Sequence, residues 1–170
     1  MAIPELILAL VLVALAAAIG TRFKPDKWYQ ALNKPVWEPP AWIFTPVWTL
    51  LYIAIALSVW FAWRGSHGKD TLLLVVGLSL WLAQLIANAV WSWLFFGLHR
   101  AYWALVDIVA LFLMVLATTI IFFRLSLVAG WLLVPYLAWL AFAACLNAAL
   151  WLANRHPPDL FPDSSSNPYQ

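Results

Sequence analysis

Five long apolar stretches dominate the sequence and limit what it can fold into. They cover about residues 3–21, 46–63, 71–96, 102–123 and 128–152. A helix needs about 20 apolar residues to cross a bilayer, and inside a bilayer only helices and closed barrels can satisfy their own backbone groups. The pattern therefore predicts an all-α polytopic membrane protein, a bundle of five transmembrane helices that residues 1–155 form as one domain.

The overall composition excludes an ordinary soluble domain. Hydrophobic residues make up 66% of the chain and charged residues 9%, whereas a soluble domain is about 25% charged. The net charge of +2 is too small, in so apolar a chain, to favour nucleic acid as a partner. We expect membrane lipid and neighbouring helices to cover most of the surface. Residues 156–170 are polar and rich in Pro and Ser, which predicts a disordered tail.

The first apolar stretch could be a signal peptide instead of a helix of the mature protein. The small residues between Ala14 and Ala18 offer cleavage sites. A signal peptide begins with a basic region, however, and the only early charge is that of Glu5. We therefore expect a retained helix.

The connection between the first two spans, residues 22–45, is unusual for a membrane loop. Its stretch from Trp28 to Pro40 contains two Trp, one Tyr and three Pro. Proline lowers the entropy that a segment loses when it becomes ordered. We therefore predict that this connection is a structured lid over something held between the helices.

Lys and Arg are shared unequally between the two sides of the predicted bundle. Six of them lie in the lid, the third connection and the tail, and three lie in the other connections. Basic loops favour the cytoplasmic side. This predicts that the N-terminus is outside and that the lid and the C-terminus are cytoplasmic.

Polar side chains inside the spans are the candidates for function, because each needs a partner where there is no water. Gln84, Asn88 and Ser92 recur every four residues and so share one helix face. This face is either a hydrogen-bonded seam between helices or the wall of a pocket. Asp107, in the fourth span, is either a hydrated residue near the interface or the cap of that pocket.

The fifth span presents a similar face. Its members recur at intervals of four residues: Pro135, Trp139, Ala143, Asn147 and Trp151. We expect Pro135 to kink this helix. Two helices that both present an amide and large aromatic rings fit a flat, mostly apolar ligand with a few polar edges, although a packed core of Trp is the alternative.

Ser79, Ala83 and Ala87 form a series of small residues on another face of the third span. Small residues allow two helices to approach closely. The contact is either within one chain or between two copies, and we expect it to be the seam of a homodimer.

Several cofactors and chemistries are not supported by the positions of the reactive residues. His67, His99 and His156 lie outside the spans, which argues against axial ligation of haem. All four Lys also lie outside the spans, which argues against a retinal Schiff base. There is no phosphate-binding loop, metal-ligand cluster or pair of carboxylates. The sequence therefore predicts no required cofactor and no metal site.

Ordered motifs along almost the whole chain resemble one known family. They are Trp28-Tyr29 with Leu32, Lys34-Pro35, Trp37 and Pro39-Pro40; Pro46 and Trp48 with Leu51-Tyr52; Gln84, Asn88 and Trp91; Phe95-Phe96-Gly97; Trp103-Ala104-Leu105 with Asp107; and residues 135–139 with Leu146-Asn147. With these motifs the chain resembles the translocator protein family, also called the tryptophan-rich sensory protein or peripheral-type benzodiazepine receptor family.

The resemblance implies a five-helix membrane receptor or sensor with a ligand cavity beneath the first loop. The implied ligands are porphyrin-type tetrapyrroles such as protoporphyrin IX and hydrophobic drug-like molecules. Carried over by position, the ligand-binding residues are Ala18, Thr21, Tyr29, Trp37, Phe44, Thr45, Val47, Trp48, Asn88, Trp91, Trp103, Val106, Asp107, Trp139, Ala143 and Leu146. The resemblance also implies a homodimer.

Trp48 and Trp139 match the tryptophans that the family uses in light-dependent porphyrin breakdown, so they are the implied catalytic residues if this protein is an enzyme. A transporter of tetrapyrroles or sterols is the alternative function. The chain departs from the animal members in their sterol-recognition segment. Here Ala148 and Ala149 follow Asn147, and Leu152 occupies the position of the basic residue. The chain is therefore most similar to bacterial members, which implies the bacterial inner membrane.

Overall fold

The computed structural model describes residues 3–66 and 71–155. The predicted tail, 156–170, lies outside the described residues. Five helices are long and apolar enough to cross a membrane, which confirms the predicted all-α multi-pass architecture. In chain order the helices are α1 (Ile3–Gly20), the short α2 (Lys27–Ala31), α3 (Ala41–Gly65), α4 (Thr71–Ser92), α5 (Ala101–Leu125) and α6 (Leu127–Asn154).

The five long helices form a closed ring in the order α1, α3, α6, α5 and α4. Each of them packs mainly on its two neighbours in this ring, and α4 closes it against α1. The interior is filled by apolar side chains such as Ile55, Leu111 and Leu140, which are almost completely buried. This order places the polar faces of α4 and α6 on either side of a shared interior.

The second spanning helix begins earlier than the sequence predicts. The prediction placed its start at Pro46, but α3 begins at Ala41, directly after the Pro39-Pro40 pair. The ring of Pro40 fixes its own backbone angle φ at a value that suits the residue before a helix. It also disfavours a helical conformation in Pro39, the residue that precedes it. Pro46 therefore lies inside the second turn, where it removes one backbone donor. The lid is correspondingly shorter and comprises residues 21–40.

Pro135, which we expected to kink the fifth span, lies within one continuous helix, α6, that runs from Leu127 to Asn154. By contrast, a change in helix type occurs at the end of α4. Residues Trp93–Gly97 form a π-helical turn, and the next loop contains His99 in a left-handed conformation with φ of 56°. Single π-helical turns are frequent at functional sites. This turn faces the lid.

Candidate ligand site beneath the first loop

A polar network in the interior joins α3, α4 and α6. The Tyr136 hydroxyl donates to Gln84 Oε1 at 3.1 Å and accepts from Asn88 Nδ2 at 3.1 Å. The Tyr52 hydroxyl donates to Asn88 Oδ1 at 3.3 Å. Because Gln84, Asn88 and Tyr136 are buried, these bonds replace the water that their polar atoms would otherwise need.

The interior also contains polar atoms without a partner. Gln84 Nε2 and Asp107 Oδ2 are buried, and neither makes a hydrogen bond within residues 3–66 and 71–155. An unsatisfied buried polar group carries a free-energy cost of about 1–3 kcal/mol. The bundle therefore keeps one donor and one acceptor available to a ligand or to water.

A row of aromatic rings connects the lid to the interior. Trp37 of the lid meets Phe142 edge-on at a centroid distance of 5.8 Å. Phe142 contacts Trp139 at 5.5 Å, and Trp139 contacts Phe44 at 5.7 Å. These separations and the mostly edge-to-face angles are those of favourable aromatic pairs. We call these four residues the aromatic row.

Trp48 lies next to the polar network. Its ring is 5.2 Å from that of Tyr52 and 6.3 Å from that of Tyr136. The indole therefore covers the two tyrosines whose hydroxyls hold Asn88 in place. This contact connects a predicted site residue to the predicted amide face.

The other half of the lid packs on the π-helical turn. Trp28 and Tyr29 of α2 contact Phe95 edge-on at 5.7 and 6.0 Å. Phe95 in turn stacks on Trp91 at 5.3 Å. The Trp91 indole N–H donates to Asn147 Oδ1 at 3.1 Å, and Asn147 Nδ2 donates to the Ala101 carbonyl at 2.9 Å. The lid, α4, α5 and α6 are thereby tied together.

Two polar contacts attach the lid to the helices. The Asn154 side chain accepts from the Asn33 amide N–H at 2.9 Å and donates to the Asn33 carbonyl at 3.0 Å. The second contact joins Asp26 Oδ2 and His99 Nε2 at 3.0 Å, and the His99 ring stacks on Trp28 at 4.5 Å. The lid is thus attached at Asp26, near its start, and at Asn33, near its middle.

One pair of opposite charges, Lys34 and Glu38, lies within the lid. The Tyr29 hydroxyl donates to Glu38 Oε1 at 2.5 Å. The Lys34 ammonium lies 3.4 Å from the same oxygen and 3.9 Å from the centre of the Tyr29 ring. Burial, together with the Glu38 carboxylate, raises the pKa of Tyr29 far above its ordinary value. Tyr29 therefore remains a protonated donor, and these three side chains brace the lid internally.

Asp26 has a structural role as the N-cap of α2. Its side chain accepts from the Tyr29 amide N–H at 3.2 Å. This bond lowers the pKa of Asp26, and the nearby His99 lowers it further. The carboxylate form is therefore the form that attaches the lid.

The structure brings most of the predicted ligand-binding residues into contact with the lid, the aromatic row or the interior. Half-buried or buried members are Tyr29, Phe44, Val47, Trp48, Asn88, Trp91, Asp107, Trp139, Ala143 and Leu146. Trp37 is half exposed but belongs to the aromatic row. The remaining predicted residues are exposed: Ala18, Thr21, Thr45, Trp103 and Val106. Trp103, for example, has 53% of its surface exposed and contacts Tyr102.

Sequence reasoning missed several contributors to this site, among them Phe142 of the aromatic row. Tyr52 and Tyr136 appeared only as parts of motifs, and Glu38 was not selected. A Tyr within an apolar span needs a partner for its hydroxyl, and that signal would have placed both tyrosines with Asn88. Glu38 follows Lys34 by four residues, but only the folded lid brings it to Tyr29.

A ring of five spanning helices with a polar interior and a structured aromatic loop across one end defines a multi-pass helical membrane protein. Comparison with family models extends this assignment. The model of the TspO/MBR family matches residues 6–152 of the chain. The chain belongs to this family.

Characterised relatives cover most of the chain. The translocator protein of Homo sapiens is 40% identical over 83% of this chain and 85% of its own. Protein CrtK of Rhodobacter capsulatus is 38% identical over 83% of this chain and 87% of its own. The tryptophan-rich sensory protein of Cereibacter sphaeroides is 38% identical over 84% of this chain and 87% of its own.

Proposed function

We propose that this protein is a membrane receptor or sensor that binds porphyrin-type tetrapyrroles, such as protoporphyrin IX, and hydrophobic molecules of similar shape beneath the lid. The observation that carries the proposal is the aromatic row, which begins at Trp37 in the lid and whose Trp139 packs against the same core as Tyr136 of the buried polar network. Flat conjugated rings stack well on indole and phenyl groups. A few polar groups in an apolar site then fix the orientation.

Ligand entry requires the lid to move. Trp37 and Phe142 are already in contact at 5.8 Å, so a macrocycle has to part these rings. The polar attachments of the lid are few, and each hydrogen bond has a net contribution of about 0.5–1.5 kcal/mol. Aromatic contacts with the ligand can replace those that are lost.

The propionate groups of a porphyrin would meet basic residues at the lid. Lys34 is occupied by Glu38 and Tyr29, whereas Lys27 is exposed on α2. An exposed ammonium at the mouth of an apolar site attracts anionic ligands and speeds their association. We therefore expect the Lys27 ammonium to attract the propionate groups.

Quenching of tryptophan fluorescence by protoporphyrin IX in detergent tests the binding site. We expect saturable quenching by wild type and a dissociation constant raised by about tenfold or more in Trp139→Ala, since each factor of ten corresponds to about 1.4 kcal/mol. Trp131→Ala is the matched control, because Trp131 is 65% exposed at the start of α6. Absence of saturation in wild type, or equal weakening in both variants, would reject the proposal.

A light-dependent breakdown of the bound porphyrin is a second candidate function. Trp139 is a central member of the aromatic row, and Trp48 lies against Tyr52 and Tyr136. The bound pigment would absorb the light, molecular oxygen would be the oxidant, and the indoles would be the nearby oxidisable groups. Illumination in air should give less product with Trp48→Phe and Trp139→Phe than with wild type. Equal yields in all three proteins would reject a role of the protein in breakdown and would leave ligand binding as its only proposed function.

We further propose that the protein is a homodimer in a bacterial inner membrane, with the N-terminus outside and the lid in the cytoplasm. Ser79, the first residue of the small-residue series, is exposed on α4, while Ala83 and Ala87 are half-buried. Exposed apolar neighbours such as Ile86 widen this face. Disulfide trapping of Ser79→Cys in membranes should yield a dimer, and the same experiment with Thr49→Cys on α3 is the control.

A further inference from the structure

A second site lies at the end of the bundle opposite the lid. A cavity of about 260 Å³ opens between α1, α3 and α4. Its walls are almost entirely apolar and include Leu12, Trp60, Trp63, Trp81 and Leu82. Among the described residues 3–66 and 71–155, Glu5 is its one ionisable lining residue. We call this cavity the α1–α3–α4 groove. It is smaller than the roughly 300–1,000 Å³ of a typical small-molecule pocket.

The Glu5 carboxylate is the reason to expect a ligand there. Its Oε2 atom is buried and has no hydrogen-bond partner within the described residues. Glu5 lies in the first turn of α1, where the helix dipole favours a negative charge, but this does not supply the missing donor. A carboxylate oxygen with an apolar surrounding is costly unless a cation or a donor meets it.

A positive charge stands beside the same groove. The Arg64 guanidinium carbon lies 4.8 Å from the centre of the Trp60 ring, which lines the groove. Arg64 is exposed in the last turn of α3. Opposite charges therefore lie at the same end of the groove, one in the first turn of α1 and one in the last turn of α3. A zwitterion complements them better than a group of either single charge.

The depth of the lining residues matches a molecule with a polar end and an apolar end. At 1.5 Å per residue, Glu5 lies about 3 Å from the start of α1, and Trp63 lies about 3 Å from the end of α3. Trp81 and Leu82 lie roughly 15 Å into α4. The charged end of the groove is thus near the membrane interface, and its apolar end extends toward the midplane.

We propose that the α1–α3–α4 groove binds a phosphatidylethanolamine molecule of the surrounding membrane. The primary ammonium donates hydrogen bonds to Glu5, the phosphate pairs with Arg64, and one acyl chain lies along Trp81 and Leu82. A choline headgroup has no N–H to satisfy Glu5, and a glycerol headgroup has no cation. The small, elongated groove also suits one acyl chain and not a flat macrocycle, so this site is separate from the ligand site beneath the lid.

A dimer through the small-residue series would leave this groove accessible. At about 100° per residue, the mean direction of the groove residues Trp81 and Leu82 and that of the small-residue series on α4 lie roughly 150° apart. The lipid and a second copy of the chain therefore need not compete for the same surface.

Lipid retention measured by mass spectrometry tests the proposal. The protein is reconstituted in nanodiscs with equal amounts of phosphatidylethanolamine, phosphatidylcholine and phosphatidylglycerol, extracted in mild detergent, and its retained lipids are counted. We expect wild type to retain phosphatidylethanolamine in clear excess over the other two lipids. Glu5→Gln should reduce that retention by about tenfold, as expected for loss of a charged hydrogen bond, and Asp26→Asn at the lid is the matched control.

A second variant and a second readout keep the result interpretable if Glu5→Gln folds poorly. Arg64→Gln should also lower phosphatidylethanolamine retention, and the lipid should raise the melting temperature of wild type but not of either groove variant. Equal retention in wild type and Glu5→Gln would overturn the proposal. Equal retention of phosphatidylcholine, or a second protein copy covering the groove in cross-linking with Glu5→Cys, would overturn it as well.

Discussion

At the scale of single residues, two tyrosine hydroxyls supply the hydrogen-bond partners of the Gln84 and Asn88 side-chain amides of α4. Tyr136 bonds to both Gln84 and Asn88, whereas Tyr52 bonds to Asn88 alone at the longer distance of 3.3 Å. Tyr136 is completely buried, so its hydroxyl is inaccessible to water. The two tyrosines should therefore differ in their contribution to stability.

Tyr136→Phe should lower the free energy of unfolding by about 1–3 kcal/mol, because it leaves an amide donor and an amide acceptor unsatisfied. Tyr52→Phe removes one hydrogen bond and should cost about 0.6 kcal/mol, the average for contacts between membrane helices. Unfolding measured in detergent or bicelles checks this order. Tyr102→Phe, at an exposed position on α5, is the control, and a loss of stability there equal to that of Tyr136→Phe would contradict the assignment.

The lid attachment through Asp26 should depend on pH. Its pKa is lowered in the folded lid, so the attachment is fully present above the ordinary value of about 3.9 and is lost as the pH falls through the lower folded value. Amide protection factors of Trp28 and Tyr29 should therefore fall below about pH 4 in wild type. Asp26→Asn keeps an N-cap acceptor but has no charge to lose, and its protection should not change in that range.

The sequence predicted the amide face of Gln84 and Asn88 because helical spacing alone defines it. It could not predict which hydroxyls reach that face. Tyr52 and Tyr136 belong to other helices and are separated from Gln84 by 32 and 52 positions in the sequence, respectively. Their distances depend on helix order around the ring. Asp107 illustrates the same limit: its depth could be read from the sequence, but not that its Oδ2 atom has no hydrogen-bond partner among the described residues.

At the scale of elements, the lid is held near its middle by hydrogen bonds of the Asn154 side chain to the main chain of Asn33. Asn154→Ala should remove both bonds and increase amide exchange at Asn33 by about tenfold, given about 1.4 kcal/mol lost. Protoporphyrin IX should also associate faster with this variant.

Asn33→Ala is a matched control for that variant, because the bonds use only the backbone of Asn33. It should leave amide exchange of the lid unchanged. Equal acceleration in both variants would show that Asn154 does not hold the lid.

The turn between α5 and α6 depends on one glycine. A Cβ added to Gly130 would lie within 2.3 Å of Phe123 ring atoms, and a single residue, Ser126, separates the two helices. Gly130→Ala should therefore lower stability by about 1–3 kcal/mol through overpacking. Gly20→Ala is the comparison, since its added Cβ would meet Ser92 at an ordinary 3.4 Å, and thermal unfolding of the two variants checks the difference.

The existence and approximate limits of the spanning helices could be predicted because long apolar stretches have few alternatives in a membrane. The start of α3 was misplaced because the predicted span began at Pro46, a residue type that suits the first turn of a helix. In the structure the Pro39-Pro40 pair ends the loop and α3 begins at Ala41. The π-helical turn at Trp93–Gly97 has no signal in the hydrophobic pattern. It depends on tertiary contacts of Phe95 and Phe96 with the lid.

At the scale of the whole molecule, the ring of helices separates two different environments. The lid end combines the aromatic row with the polar network, and the opposite end contains the small groove with Glu5. Helix order could not be predicted from one sequence, because the apolar faces of all five helices are similar. The ring order explains why polar residues from α3, α4 and α6 meet.

Hydrogen exchange of the complete protein, with and without protoporphyrin IX, tests the central claim most directly. Binding beneath the lid should slow amide exchange in residues 28–40 and in α6 around Trp139, while exchange near Glu5 and Trp63 stays the same. Protection confined to the α1–α3–α4 groove, or no change in residues 28–40 at saturating ligand, would contradict the proposed site.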